Sequence, residues 1–558
     1  MAKMTGGQAI VQSLVAEGVE VAFGIPGIHA VAIYDALYEH LQLRHITTRH
    51  EQGAAYMADG YARASGKPGV FITTTGPGAF NSLTAMGEAY ASSSPVINIA
   101  TEIPRKFIGK GKGFVHESKD QLGMFRGVTG WNKQVESVKD IPSAIHEAFR
   151  RFKTQRPRPI ELEFPVDVLQ EWGDVDILKA ESYEKPAGDA SDIAAAADLL
   201  AGSKKPVIWA GGGVIGSGAS AELVKLAELL QAPVITTGNG KTVMPSVHPL
   251  CLGRMGRGWG RWDTPTSMSL LSELIQESDV MLAGGTRFSA VDAVTWNLKM
   301  PEKLIQIDID EGQLGRNYPC KIGIVGDAKA VLEQLIPQIG QERERPSRAA
   351  EVARIKETIY QEAKKRAPEE IKVLEDIREV AGPGARIVID ATAAAYWGGM
   401  FLKVFEPRTE MTPWGFAGLG FALPAGLGAK VACPDKPVVV LVGDGGFLFT
   451  SQELATAVQF GINVAVVIFD DSCYGAIQSM QQRWFDGRCI AVELRNPDYV
   501  KYAESFGIPA TSVSSFLEIK EALGKALSSD TTSVIVVPKS LSSPIDDSEA
   551  PSPMQPRP

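Results

Sequence analysis

The chain has few cysteines, no long apolar run and no surplus of positive charge, and each lack removes a class of protein. A membrane-spanning helix needs about 18 or more consecutive apolar residues, and no such run occurs, so no membrane partner is expected. The five cysteines (Cys251, Cys320, Cys433, Cys473 and Cys489) are odd in number and widely spaced. They form no C-x-x-C and no Cys/His pair at zinc spacing, so neither a disulfide framework nor a structural zinc is indicated. Isolated cysteines of this kind are expected to be small buried apolar residues. Lys and Arg number 56 against 65 Asp and Glu, a formal net charge of −9. Nucleic-acid binders carry a basic face, so no nucleic-acid partner is expected, although a local pocket for a small anion stays open. The opening MAKMTGGQAIVQSL lacks a basic segment followed by an apolar one. It therefore does not read as a signal peptide, and a cytoplasmic location is expected.

What is present is a rhythm of short β-branched runs, glycine turns and helical patterns, as in GVFITTTGPGAFNSLTAMGEAY (69–90), KPVIWAGGGVIG (205–216) and KPVVVLVGDGGFLFTSQELATAVQF (436–460). Strands that read as continuous apolar runs between helices belong to parallel sheets covered on both faces, so the fold class is α/β, doubly wound. At about 150 residues per domain, 558 residues make three or four domains. Two polar stretches, 172–192 and 340–370, read as linkers, the second helical after Pro346 but without a core pattern. They divide the chain into blocks 1–172, 190–338 and 366–540, followed by a Ser/Pro/Asp-rich tail, 541–558, too poor in apolar residues to order itself. No short internal repeat is visible. In the central, Rossmann-like block, Gly211, Gly213 and Gly216 have dinucleotide-turn spacing, but the nearest later acid, Glu222, lies in a helical pattern rather than after the next strand. Plain helix–strand packing is therefore favoured over a bound nucleotide.

The third block carries the most specific chemistry. VVVLVGDGGF places Gly443, Asp444, Gly445 and Gly446 between a buried strand and a helix start, where free backbone N–H groups and the helix dipole suit a diphosphate. Asp444 offers a hard oxygen to a Mg²⁺ bridging the phosphates. A second strand, INVAVVIFDDSCYG, ends in Asp470 and Asp471, which can complete the coordination. In the first block, TTRHEQGAAYMADGYARASGKPGV puts Glu51 just after a short strand, at the start of an alanine-rich helix.

With GDG, DDSCYG and RHEQGAAYMADGYA together, the chain resembles the thiamine-diphosphate-dependent enzymes, over nearly all of residues 3–540 and closest to the acetolactate-synthase-like branch. That group includes 2-oxo-acid decarboxylases, benzaldehyde lyase and acetolactate synthase. The resemblance implies a pyrimidine-binding domain (1–172), a central domain (190–338) and a diphosphate-binding domain (366–540). It implies that Asp444, Asp471 and the backbone carbonyl of Cys473 hold Mg²⁺, with Asp471 standing where the family usually has Asn. It places Gly443, Asp444, Gly445, Gly446, Asp471, Tyr474 and Gly475 against the diphosphate end of the cofactor, and Gly76 and Asn81, from TTTGPGAFNSL, in the pyrimidine domain. Glu51 becomes the catalytic acid at N1′ of the aminopyrimidine. In GFAGLGFALPAGLGAK, Leu419 would wedge between the cofactor's two rings and the Ala417 carbonyl would meet its 4′-amino group. His29 and His116 lie in loops that face the reacting carbon in relatives, where imidazoles could deliver a proton or hold a substrate carboxylate.

The resemblance implies C–C bond cleavage or formation beside a carbonyl, with a 2-oxo acid or aldehyde as substrate. Several positions fit acetohydroxyacid synthases poorly. Val166 replaces a lysine, Met480 replaces a tryptophan, and GGTRFSAVDAVTW departs after Phe288 from their flavin-contacting segment, which counts against bound FAD. GIPGIH and HESKDQ look more like decarboxylases of longer 2-oxo acids. The leading expectation is decarboxylation of a 2-oxo acid through an enamine. The alternatives are acetolactate-synthase-like or benzaldehyde-lyase-like carboligation, a flavin-linked oxidase, and a non-catalytic cofactor-binding scaffold. Relatives build each site between two chains, which implies a homodimer or homotetramer.

Overall fold

The computed structural model describes residues 2–254, 265–340 and 345–542, without the side chains of 265–268. Its buried β-branched runs form three separate six-stranded parallel sheets, as the apolar strand pattern predicts. In the first block the strands lie in the order Arg44–Thr47, Val21–Gly24, Gly69–Thr73, Val96–Glu102, Ile160–Pro165, Trp131–Gln134. The central sheet runs Cys251–Arg254, Val234–Thr236, Pro206–Ala210, Val280–Gly284, Leu304–Asp308, Ile322–Val325. The third runs Glu410–Met411, Arg386–Ile389, Val438–Gly443, Ala465–Phe469, Ser533–Val537, Ala510–Ser512.

Numbered within each block, the central sheet has the order 3-2-1-4-5-6, the doubly wound order of dinucleotide folds. The first and third sheets share a different order, 2-1-3-4-6-5. The chain is thus duplicated at long range, a relation that a search for short repeats cannot find. In a 2-1-3-4 sheet the strand order reverses between strands 1 and 3, and a crevice opens there at the carboxyl ends. The turns at residues 24–29 and 74–78 occupy that position in the first sheet, and those at 390–392 and 443–445 in the third.

The two duplicated domains are joined by one hydrophobic core through the helices Glu51–Ser65 and Ala422–Ala432. Alanine and glycine dominate both helices, so the backbones come very close. A Cβ added to Gly60 would lie 2.0 Å from the Ala425 carbonyl oxygen, and one added to Gly428 would lie 2.0 Å from that of Met57. The contact is reciprocal, as a duplicated pair related by a local two-fold requires.

Three expectations are corrected. Residues 172–175 are not linker: Trp172–Val175 forms an antiparallel strand with Ala2–Thr5, because the two ends of the first domain meet. The helix Ala349–Arg366 does have a core face. Val352 and Ile355 pack with Val207, Trp209 and Leu271 under the central sheet. At the start of the tail, Leu541 is buried and the Ser542 carbonyl accepts from Trp397 Nε1 at 3.1 Å, while residues 543–558 lie outside the described part. All five cysteines are free, but only Cys251 is buried and Cys489 is exposed. Among the described residues no helix is long and apolar enough to cross a membrane.

Candidate active site

The first half of the site gathers at the switch point of the first sheet. Glu51 opens its helix, with His50 as N-cap accepting from Gln52 N at 3.1 Å. The Glu51 carboxylate accepts from Asn81 Nδ2 at 2.9 Å, and Gly78 leaves it room: an added Cβ would stand 3.1 Å from Oε1. Gly76 has φ +65°, and the His116 carbonyl oxygen lies where its Cβ would be, at 2.5 Å. Only glycine fits both demands. His29 and His116 come together, ring centroids 5.2 Å apart, beside Phe114. Burial and the neighbouring His116 push the His29 pKa down, which favours the neutral imidazole.

The second half lies at the equivalent switch point of the third sheet. Strand Val438–Gly443 delivers Asp444, 3% exposed, to the start of helix Asp444–Thr450. One carboxylate oxygen accepts from Gly445 N at 2.8 Å. The other accepts from Cys473 N at 3.2 Å and Asn496 Nδ2 at 2.6 Å. The Asn496 amide also reaches Asp470 Oδ1 at 2.8 Å. Burial pushes the Asp444 pKa up. Asp471 opens to solvent at the mouth, yet crowding by protein atoms and the Asp444 charge push it up to about 6. The 473–493 bridge uses the Ser472 carbonyl and the Tyr474 N–H, not the Cys473 carbonyl. Tyr474 packs over Gly445, and Gly475 over Asp471 Oδ2.

Between the halves lies the segment 415–421. Ala417 sits at φ +57°, and the Leu419 carbonyl accepts from Gln52 Nε2 at 3.4 Å. Asp390, fully buried, receives the N–H groups of Ala391, Gly420 and Ala422 at 2.8–3.2 Å, and burial pushes it up to about 6 despite them. Two further carboxylates lock the halves reciprocally. Glu88 of the first domain accepts from Phe416 N and Ala417 N at 2.8 and 3.1 Å, and Glu453 of the third accepts from His50 N and Arg49 N at 3.0 and 3.1 Å. Glu88 is paired with Arg63 at 3.0 Å. Glu453 has Thr456 and backbone N–H groups instead, and burial pushes it up to about 7.

Sequence reading missed Asp390, Asn496, Glu88, Glu453 and Gln121. Only Asp390 carried a signal, an acid at the end of an apolar strand (RIVID).

The residues fit a diphosphate and a hard divalent cation. Asp444 and Asp471 are neighbouring carboxylates whose pKa values are pushed up by burial and by the acid charges around them. Among the described residues no three His, Cys, Asp or Glu side chains converge as a metal cage. Mg²⁺ takes one or two carboxylates and leaves its other positions to phosphate and water, so the Asp444 and Asp471 pair fits it. In the first half, the buried Nδ1 atoms of His29 and His116 and the Thr74 hydroxyl have no protein partner and are free for a ligand.

A separate cavity of about 180 Å³ opens where the three domains meet, lined among others by Gly213, Thr237, Arg287, Asp292, Asp308 and Trp414. Gly211 and Gly213 touch the backbone of Gly285, whereas nothing lies within 4 Å of a Cβ built on Gly216. The third glycine of a dinucleotide fingerprint is there for close helix packing, and Gly216 does not have it.

Comparison with known proteins agrees with this geometry. Residues 4–124 match the family model described as thiamine pyrophosphate enzyme, N-terminal TPP binding domain. Residues 193–335 match its central domain, and 390–537 its C-terminal TPP binding domain. The chain is 39% identical to a probable acetolactate synthase large subunit of Methanocaldococcus jannaschii, across 94% of this chain and 90% of that one. It is 36% identical to a probable 2-ketoarginine decarboxylase of Pseudomonas aeruginosa, across 90% and 88%. It is 35% identical to an acetolactate synthase of Mycobacterium bovis, across 90% and 83%.

Proposed function

Because the chain belongs to the thiamine pyrophosphate enzyme family, in its acetolactate-synthase-like branch, we propose that it uses thiamine diphosphate and Mg²⁺ to decarboxylate a 2-oxo acid to an aldehyde. One observation carries the choice of reaction: two imidazoles, 5.2 Å apart with unpartnered buried Nδ1 atoms, stand beside the turn that carries Asn81 to Glu51. A site that ends by protonating carbon needs such donors. The relative named 2-ketoarginine decarboxylase supports the same choice.

When bound, thiamine diphosphate supplies a nucleophilic carbon and an acceptor for the electron pair left by CO₂. Glu51 would hold a proton at N1′ of the aminopyrimidine, steadied by Asn81. The Ala417 carbonyl would accept from the 4′-amino group, and Leu419 would keep the two rings apart. Gly443, Gly445 and Gly446 would face the diphosphate, with Tyr474 and Gly475 closing over it, and Asp444, Asp471 and the Cys473 carbonyl would hold Mg²⁺. His29 and His116 would point N–H groups at the substrate carboxylate, and one of them would relay a proton drawn from solvent to carbon.

The second reading is acetolactate-type carboligation, favoured by the names of the synthase relatives. Both half-sites are edged by exposed apolar side chains, Ile28 (68%) and Val115 (62%) on one and Phe416 (55%) and Ile477 (50%) on the other. Such patches support completion of each site by a second copy, in a dimer or tetramer.

Single 2-oxo acids incubated with the protein, thiamine diphosphate and Mg²⁺ test the proposal. A free aldehyde is the expected product, and Glu51→Gln should lower kcat by about 10²–10⁴-fold. An acyloin or 2-hydroxy acid as the sole product would move the assignment to carboligation, and failure of the native protein to bind the cofactor by calorimetry would remove both.

A further inference from the structure

Gln121 is 2% exposed and stands five residues after His116, at the start of the short helix Gln121–Phe125. Its side-chain oxygen accepts from Gly76 N at 2.7 Å, and its nitrogen donates to the Thr101 carbonyl at 2.9 Å and to Glu163 Oε2 at 3.0 Å. A backbone N–H only donates and a carbonyl only accepts, so the amide can face one way only. Gly76 caps the helix Pro77–Asn81, whose last residue bonds Glu51, and the His116 carbonyl lies against Gly76 itself. One buried amide therefore bonds the turn that leads to Asn81 and Glu51 and that lies against the His116 carbonyl.

Beneath it lies a buried acid pair that the reaction does not use. Glu161 and Glu163 are two apart on strand Ile160–Pro165 and share a face, with Asn98 opposite Glu161 across the ladder. Glu161 is fully buried and its carboxyl pairs with that of Glu163, while Asn98 Nδ2 lacks a protein partner. The ionisable groups facing the pair are the carboxyls of Glu102 and Asp120, so neighbouring charge adds to the burial cost and the pKa of each member rises. Two carboxyls this close in a dry interior hold at least one proton between them. Glu163 then keeps an oxygen free for the Gln121 amide.

We propose that Gln121 is a positioning residue that couples the His116 loop to the Glu51 carboxyl through the Gly76 turn, its amide held in orientation by the Glu161–Glu163 pair. The idea rests on the assignment of Glu51 and His116 to the reaction. Its test begins on the cofactor-free protein, so that the two can fail separately.

In hydrogen–deuterium exchange of the apo protein, Gln121→Leu should speed exchange about tenfold, the loss of one buried hydrogen bond, at residues 74–81 as well as in the 112–120 loop. With the cofactor added, Gln121→Glu should be active at low pH, where its protonated carboxyl can still donate, and should lose kcat as pH rises, with KM little changed. Glu163→Gln can take up both roles of the acid pair and should keep native exchange and kcat. Faster exchange confined to the 112–120 loop, or a native pH profile in Gln121→Glu, would overturn the proposal. If thiamine diphosphate fails to bind the native protein, the assigned reaction falls, while the exchange result still reports the coupling.

Discussion

Gly78 stands where any side chain would meet the acid of residue 51. An added Cβ lies 3.1 Å from Glu51 Oε1 and 2.8 Å from Thr74 Cγ2, and Glu51, at a helix start, is the group free to give way. Gly78→Ala should therefore lower kcat by about 100-fold, as small displacements of a reacting group do, with cofactor affinity far less affected. Steady-state kinetics beside calorimetry of cofactor binding checks this. At this scale much was legible in the sequence. Glu51 and Asp444 stand at strand ends beside helix starts, and the residues that make those turns are their chain neighbours. Asn496 was not legible: it reaches Asp444 from 52 residues away, and a lone Asn in a loop has no pattern.

At the scale of elements, two kinds of glycine separate. Gly60 and Gly428 sit in the crossing of the helices Glu51–Ser65 and Ala422–Ala432, 2.0 Å (as added Cβ) from backbone oxygens that cannot move aside alone. Gly60→Ala should cost about 1–3 kcal/mol or more by overpacking, measured by urea unfolding. Gly216→Ala, in open space at the end of its helix and without a positive φ, should be neutral or stabilising by about 0.4–1 kcal/mol. Sequence pattern predicted most of these elements because β-branched runs and helical periodicity are local. It misread Ala349–Arg366 as linker because Val352 and Ile355 are thinly spread among charges, and only the underside of the central sheet shows what they cover.

Over the whole molecule, the duplicated domains are tied by Glu88 and Glu453, each reaching the backbone ahead of the other domain's central helix. Glu453 is held near a pKa of about 7 against an ordinary 4.5. A carboxyl raised on folding stabilises below its unfolded value, and that stability is lost as pH climbs through the folded one. The native protein should thus lose unfolding free energy relative to Glu453→Gln between about pH 4.5 and about pH 7, read from paired denaturation curves. A constant difference across that window would show that Glu453 is not the titrating group. The sequence by itself determined the α/β class, the three blocks and the two turns, because turn chemistry and apolar periodicity act over a few residues. Only the tertiary structure decided the shared 2-1-3-4-6-5 order, the pairing of His29 with His116, and the carboxylates that lock the halves. Those partners lie up to 404 residues apart along the chain and meet only once both sheets are packed.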